Sequence, residues 1–242
     1  MSLEKATGLI IRTTDWSESS RIATFFTKEF GKIRVLAKGG RRIKSNFEVA
    51  LDLLSVCSIV WLRKPQGGLE ILTEARSEER FNGLRSNLPN LYAAYYLAEL
   101  VNEGLQDYDP HEQLYTHTLE GLRLLNAGGD PIGVICWYEM LWLTELGYRP
   151  RLNECGSCGQ AILRASGLNY SAGAGGVICP SCAPSIQDKR PLSTEGWRAL
   201  VELEKGQVSL TYAQRHELKS VLEQTVCVVL GKRPRLADYI FA

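Results

Sequence analysis

The most specific chemistry in this sequence belongs to four cysteines. They fall as two C-x-x-C pairs, Cys155-Gly156-Ser157-Cys158 and Cys179-Pro180-Ser181-Cys182, with 20 residues between them. Each pair can wrap a tight turn around one metal ion so that two thiolates reach it, and two such turns complete the tetrahedral set of a closed zinc site. Gly156 and Gly159 are expected to carry the backbone through positive φ and bring amide N–H groups toward the sulfurs. The spacing therefore predicts one zinc ion per chain on Cys155, Cys158, Cys179 and Cys182. Four protein ligands leave no open position for a water, so this metal is expected to be structural and not hydrolytic. Two alternatives fit less well. A redox dithiol would use one pair only, and two disulfides would suit a secreted chain, whereas Met1-Ser2-Leu3-Glu4-Lys5 runs straight into strand-like sequence without a secretory apolar segment. The chain reads as cytoplasmic. The other cysteines, Cys57, Cys136 and Cys227, stand in apolar surroundings and are expected to be core thiols.

The second chemical signal is electrostatic. The formal net charge is only +1 over 242 residues, but the charge is segregated. From Lys28 to Lys44 there are seven basic residues against one acid, and from Glu74 to Glu112 eight acids against three bases. Such segregation bears on partners and not on fold. Arg34, Lys38, Arg41, Arg42 and Lys44 lie at the end of a strand and in the loop after it, with Gly39-Gly40 permitting close approach of a phosphate chain. They are the candidate DNA contacts, and contacts of this kind track a backbone without reading bases. Trp16, Phe25, Phe26 and Phe30 are close by in sequence, but adjacent strand aromatics usually bury a ring, so none is assigned to stacking. No nucleotide-hydrolysing phosphate loop is present: Ala37-Lys38-Gly39-Gly40-Arg41-Arg42 lacks the spacing. His111, His117 and His216 have no metal-binding or triad spacing. No apolar run approaches the roughly 20 residues of a membrane span.

The elements that must position these residues fall into two kinds. Ala6–Thr13, Arg21–Thr27, Lys32–Lys38, Leu53–Arg63 and Leu69–Ala75 read as five short strands with turns at Gly31 and at Lys64-Pro65-Gln66-Gly67-Gly68. Five such strands suit a small barrel of the oligonucleotide-binding (OB) type, although an SH3-like barrel gives a similar pattern. After residue 83 the apolar period becomes helical over Leu88–Glu103 and Glu112–Leu125. Asp130-Pro131 opens a third helix that stops at Gly147, and Ser193–Lys205 and Tyr212–Leu230 close the chain. The expected fold is α+β and multidomain: an OB-type β-barrel over 1–82, a helical domain over 83–150 and 189–242, and an inserted four-cysteine zinc ribbon or finger over 151–188. The insert is too polar and Gly-rich for a core of its own, so metal ligation is expected to supply its stability, about 10–16 kcal/mol for structural zinc in small peptides.

Several of these segments, in this order, resemble one family. Ala6-Thr7-Gly8-Leu9, Glu18-Ser19-Ser20-Arg21, Phe30-Gly31-Lys32 and Ala37-Lys38-Gly39-Gly40-Arg41-Arg42 with Lys44-Ser45 are similar to the start of the bacterial RecO recombination mediators. Glu145-Leu146-Gly147-Tyr148-Arg149-Pro150, followed by the two cysteine pairs, is similar to that family's passage from helix to zinc finger. The resemblance implies DNA repair and homologous recombination in the RecF pathway, without catalytic turnover. It implies binding of single- and double-stranded DNA, strand annealing, and work with RecR to load RecA, reached indirectly, onto strands coated by single-stranded-DNA-binding protein. It also implies a cytoplasmic, nucleoid-associated protein with no membrane partner. The acidic C-terminal tail of single-stranded-DNA-binding protein would need an apolar groove with a cation at its rim, and Arg149 and Arg151 are candidates by position. Two other classes stay open on the residues alone: a nucleic-acid-modifying enzyme with a zinc ribbon, and a transcription-type zinc-ribbon adaptor.

Overall fold

The computed structural model describes residues 2–40, 47, 51–64, 69–206 and 209–240. Packing divides the chain into two compact units, Met1–Gly128 and Gly129–Ala242.

In the first unit, β1 (Ser2–Asp15), β2 (Arg21–Thr27), β3 (Gly31–Ala37), β4 (Val56–Arg63) and β5 (Glu70–Glu79) close into a barrel in the order β1-β2-β3-β5-β4. β3 and β5 are parallel through Val35↔Glu70 and Leu36↔Ile71, and the other pairs are antiparallel. A five-stranded Greek-key barrel closed in this way is the OB arrangement, which decides against the SH3-like alternative. β1 is long because it serves two neighbours: Ser2–Leu9 pairs with β4 and Gly8–Asp15 with β2, and a bulge between Ile10 and Arg12 bends it between the two. β4 starts at Val56 and not at Leu53, since Leu54 turns through φ +63°.

Alternation explains the core. Ala23 and Phe25 of β2 point into the barrel with Ile10, Ile33, Val35, Ile59 and Trp61. Phe26, on the opposite face, is equally buried because α2 (Glu112–Asn126), which follows α1 (Leu88–Gly104), sets the Tyr115 ring edge-on to it at 5.5 Å. Both faces of β2 are covered there, so Phe25 and Phe26 stand side by side in the sequence without a polar residue between them. The change of period at residue 83 is thus where strands give way to helices, whereas packing divides after Gly128. Gly31 makes the β2–β3 turn at φ +65°, and a Cβ there would lie 2.1 Å from the Asp109 carbonyl oxygen.

The second unit holds α3 (Pro131–Glu145), a small sheet of β6 (Asn169–Ser171), β7 (Gly176–Ile178) and β8 (Arg190–Pro191), then α4 (Thr194–Glu204), α5 (Tyr212–Leu230) and α6 (Ala237–Ile240). Three local caps fix the helix ends. The Asp130 carboxylate accepts from the Gly133 amide at 3.1 Å, the Ser193 hydroxyl from Gly196 at 2.9 Å, and Gly231 ends α5 at φ +68°. α3 is buried on nearly every side and packs against α4 and α5. Cys57 and Cys136 are core thiols as expected; Cys227, on α5, is only half-buried. Among the described residues no helix is long and apolar enough to cross a membrane.

Candidate functional site

Cys155, Cys158, Cys179 and Cys182 converge, their sulfur atoms all lying within 4.8 Å of one another. The first turn closes through the Gly159 amide, which donates to the Cys155 carbonyl at 2.8 Å with Gly159 at φ +72°. The second closes through the Cys182 and Ala183 amides, each 3.1 Å from the Cys179 carbonyl oxygen. Gly156 corrects an expectation. It is not at positive φ; its amide donates to Val177 at 2.8 Å, and a Cβ would stand 2.4 Å from the Ala174 carbonyl oxygen. Close approach of two backbones, and not turn handedness, demands glycine there.

Burial alone would raise the Cys155 thiol, but backbone amides of Cys179, Cys158 and Ser157 outweigh it and bring the pKa down to about 6. Hydrogen bonds to the Cys179 and Cys158 sulfurs push Cys182 the other way, up to about 12. Thiolates this close repel one another, so one ionises easily only while its neighbours keep their protons. A divalent cation removes that conflict, and the four sulfurs fit a closed metal site. The insert is also pinned from outside: the Tyr170 hydroxyl bonds Thr225 of α5 at 2.8 Å, and the Trp197 indole of α4 donates to Leu152 at 2.8 Å. Among the described residues no other cluster of three metal-ligating side chains is found. The histidines stay apart, with His111 3.3 Å from Asp109 and His216 edge-on to Tyr212.

A second site lies on the outer face of the barrel. The registers align Arg12, Thr24 and Arg34 in one row across β1, β2 and β3, with Thr14, Ile22 and Leu36 in the next. All of these but Leu36 line an open groove of about 1140 Å³, which Arg63 and Lys64 also line at the end of β4. Of the expected DNA contacts, Arg34 lines this groove and Lys38 is exposed in the turn after β3, while Arg41, Arg42 and Lys44 lie outside the described residues. Arg12, Arg63 and Lys64 escaped sequence reasoning because Arg12 on β1 and the pair Arg63-Lys64 at the end of β4 lie 51 residues apart and are gathered only by barrel closure.

Much of the charge segregation is annulled in space. Lys28 pairs with Glu112 at 2.5 Å, and the Arg34 Nε donates to Asp107 at 2.7 Å. Lys32 is buried: its ammonium donates to the carbonyls of Asn102 at 2.6 Å and Leu105 at 2.8 Å, at the C-terminus of α1, and lies 3.6 Å from Asp107. Burial lowers its pKa, with Asp107 opposing. Of the aromatics, Phe25 and Phe26 are buried and Phe30 packs edge-on to Trp61 at 5.1 Å, whereas Trp16 is 63% exposed at the tip of the β1–β2 hairpin. Arg149 and Arg151 line one shallow hollow beside the insert, each facing a carboxylate: Arg149 bonds Glu204 at 2.7 Å and Arg151 is 3.7 Å from Glu154.

Comparison with known proteins divides the chain where the barrel strands give way to helices, and not where packing divides it. The family model described as Recombination protein O N terminal matches residues 1–81, and the one described as Recombination protein O C terminal matches residues 85–237. The DNA repair protein RecO of Rhodopirellula baltica is 38% identical over 193 residues, covering 79% of this chain and 70% of the relative. That of Roseiflexus sp. is 31% identical over 238 residues, covering 96% and 83%, and that of Anaeromyxobacter dehalogenans is 32% identical over 206 residues, covering 85% and 81%. Since the two family matches run in order from residue 1 to residue 237, and the OB-type barrel stands where the N-terminal match begins, the chain belongs to the RecO family of DNA repair proteins.

Proposed function

We propose that this protein is a recombination mediator of the RecF pathway, binding single- and double-stranded DNA without reading its sequence and annealing complementary strands. With RecR it would help load RecA onto strands coated by single-stranded-DNA-binding protein. The observation that carries the reading is the row Arg12–Thr24–Arg34 across an OB-type barrel, with Lys38, Arg41, Arg42 and Lys44 following Arg34 in the sequence. Annealing two polyanions requires their repulsion to be screened while the bases stay free to pair, and phosphate contacts from a strand face do this. The mediator acts without turnover; a four-thiolate site has no coordination position left for a water.

The metal is read as zinc. Thiolates about 2.3 Å from a tetrahedral ion stand about 3.8 Å apart, close to the 4.0 Å between the Cys158 and Cys179 sulfurs. Bound zinc would supply a cross-link between the two turns. Arg149 and Arg151 are read as the cationic rim for the acidic tail of single-stranded-DNA-binding protein, whose carboxylates would exchange for those of Glu204 and Glu154.

The test is strand annealing by the purified protein, with and without RecR and tail-bearing single-stranded-DNA-binding protein, together with the salt dependence of binding. Replacing Lys38, Arg41, Arg42 and Lys44 with Ala should flatten the log-affinity against log-salt slope for single strands by up to about 3, at about 0.7 per phosphate contact. An unchanged slope in a folded variant would remove the basic loop from the DNA contacts, and conversion of nucleic acid by substoichiometric protein would replace the mediator with an enzyme.

A further inference from the structure

We infer that the indole of Trp16 is a stacking platform for an unstacked nucleobase of single-stranded DNA, an inference that rests on the DNA-binding reading above. Of the tryptophans, Trp61, Trp137 and Trp142 are buried and Trp197 is half-buried with its N–H bonded, so Trp16 alone presents its ring to solvent. Its turn is well tied. The Trp16 and Ser17 amides donate to the Ser20 carbonyl at 3.0 and 3.2 Å, the Ser20 amide donates to the Ser17 hydroxyl at 3.1 Å, and Arg21 pairs with Asp15 at 3.2 Å below them. The Trp16–Ser20 bond extends the β1–β2 ladder one pair past Asp15↔Arg21, so alternation puts Trp16 on the face of Arg12 and Thr14, both of which line the groove. On the other side the β2–β3 register ends at Arg21↔Ala37, and the next pair would be Ser20 and Lys38. Trp16 and Lys38 thus each come directly after the last strand pair at the same end of β1, β2 and β3. A cation for the phosphate beside a ring for the base is how sequence-tolerant single-strand sites are built. The residues that the register places nearest to it on that face, Thr14, Ser20 and Lys38, are polar and do not make the apolar patch that a protein partner would need.

Because duplex bases are already stacked, only single strands should use the ring. In the full-length protein, Trp16→Ala should weaken oligo-dT binding by about 5- to 150-fold, Trp16→Phe should retain most of the affinity, and binding to a duplex of equal length should be unchanged in both. Oligo-dT should quench the wild-type tryptophan fluorescence, with the quench absent in Trp16→Phe. Unaltered single-strand affinity in Trp16→Ala, an equal loss on duplex, or intact DNA binding with lost RecR binding would each overturn the assignment. Wild-type protein that binds neither form would overturn the functional reading itself.

A separate observation concerns the acid opposite Arg34. We propose that Asp107 is a resident competitor for the phosphate that Arg34 would bind. One carboxylate oxygen accepts from both Nε and a terminal nitrogen of the Arg34 guanidinium, two donors that a phosphate oxygen could take in its place. The carboxylate is fixed by its backbone: Tyr108 donates to the Lys32 carbonyl at 2.9 Å, beyond the short stretch where β3 pairs with β5. The Tyr108 hydroxyl donates to Glu70 and its ring lies 4.6 Å under the Arg63 guanidinium, which anchors the segment against β4 and β5. Asp107 occupies two of the five guanidinium N–H donors and offsets the charge, so a phosphate must compete with it for Arg34, which lowers affinity and favours release of the strand.

The test is a double-mutant cycle on single-strand affinity against salt. Asp107→Asn should tighten binding and steepen the slope by up to about 0.7, Asp107→Ser should act in the same direction, and neither gain should survive in Arg34→Ala. Glu74→Gln makes the same charge change at an exposed position of β5 and should leave the slope alone. A gain that persists without Arg34, or that Glu74→Gln reproduces, would overturn the proposal while leaving the DNA-binding reading intact.

Discussion

Lys32 stands in the middle of a basic run, yet it is only 8% exposed and spends its ammonium on the end of a helix. The last carbonyls of α1 have no partners within the helix and carry the negative end of its dipole, so a cation placed there serves both needs. Lys32→Met keeps the aliphatic stem but leaves Asn102, Leu105 and Asp107 without this donor, and denaturant unfolding should show a loss of about 2–4 kcal/mol. Lys28→Ala, which removes a solvent-screened pair with Glu112, should unfold like the wild type. Asp188 makes a pH-dependent counterpart in the second unit. Burial would raise its carboxyl, but bonds from the Ser171 hydroxyl at 2.7 Å and the Gly173 amide at 2.9 Å hold it below the usual value. A depressed carboxylate contributes stability that is present above its unfolded value of about 3.9 and is lost as pH falls through the folded one. Hydrogen exchange in segment 171–174 should therefore speed up below about pH 4, and Asp188→Asn should remove that dependence.

At the scale of elements, the β2–β3 turn joins the barrel to the segment that carries Asp107. Gly31→Ala would meet both the left-handed backbone and the Asp109 carbonyl, so a loss of at least about 1–2 kcal/mol is expected, with the 105–109 segment pushed off β3. If that segment holds Arg34 back, the same variant should bind single strands more tightly per folded molecule. The caps Asp130, Ser193 and Gly231 were legible because a cap is a local bargain between one side chain and the nearest unpaired amides or carbonyls. The start of β4 was not, because Leu54 in a left-handed turn carries no local signal. In the metal insert the turn chemistry of Gly159 could be read from the sequence, while the role of Gly156 depends on a chain segment 18 residues further on, at Ala174.

For the whole molecule, the two compact units should respond separately to loss of metal. A chelator, or Cys179→Ser, should reduce metal content from one ion per chain to none and raise hydrogen exchange across 151–188 and the faces of α4 and α5 bonded to it, while β1–β5 keep their protection. Exchange that rises equally in the barrel would contradict this division. Sequence by itself determined the number and order of the barrel strands and long helices, the caps and the cysteine set, since each is written in periodicity or spacing over a few residues or in two fixed turns. Only the tertiary structure decided which cations line the groove and which face a carboxylate. Arg34 and Asp107 are 73 residues apart along the chain, and a charge count along the sequence gives no sign that folding lays the acidic 103–112 stretch on the basic strand. Arg12 joins Arg63 and Lys64 in the groove for the same reason: the contacts that close a barrel are long-range, and the polarity of a single residue does not encode them.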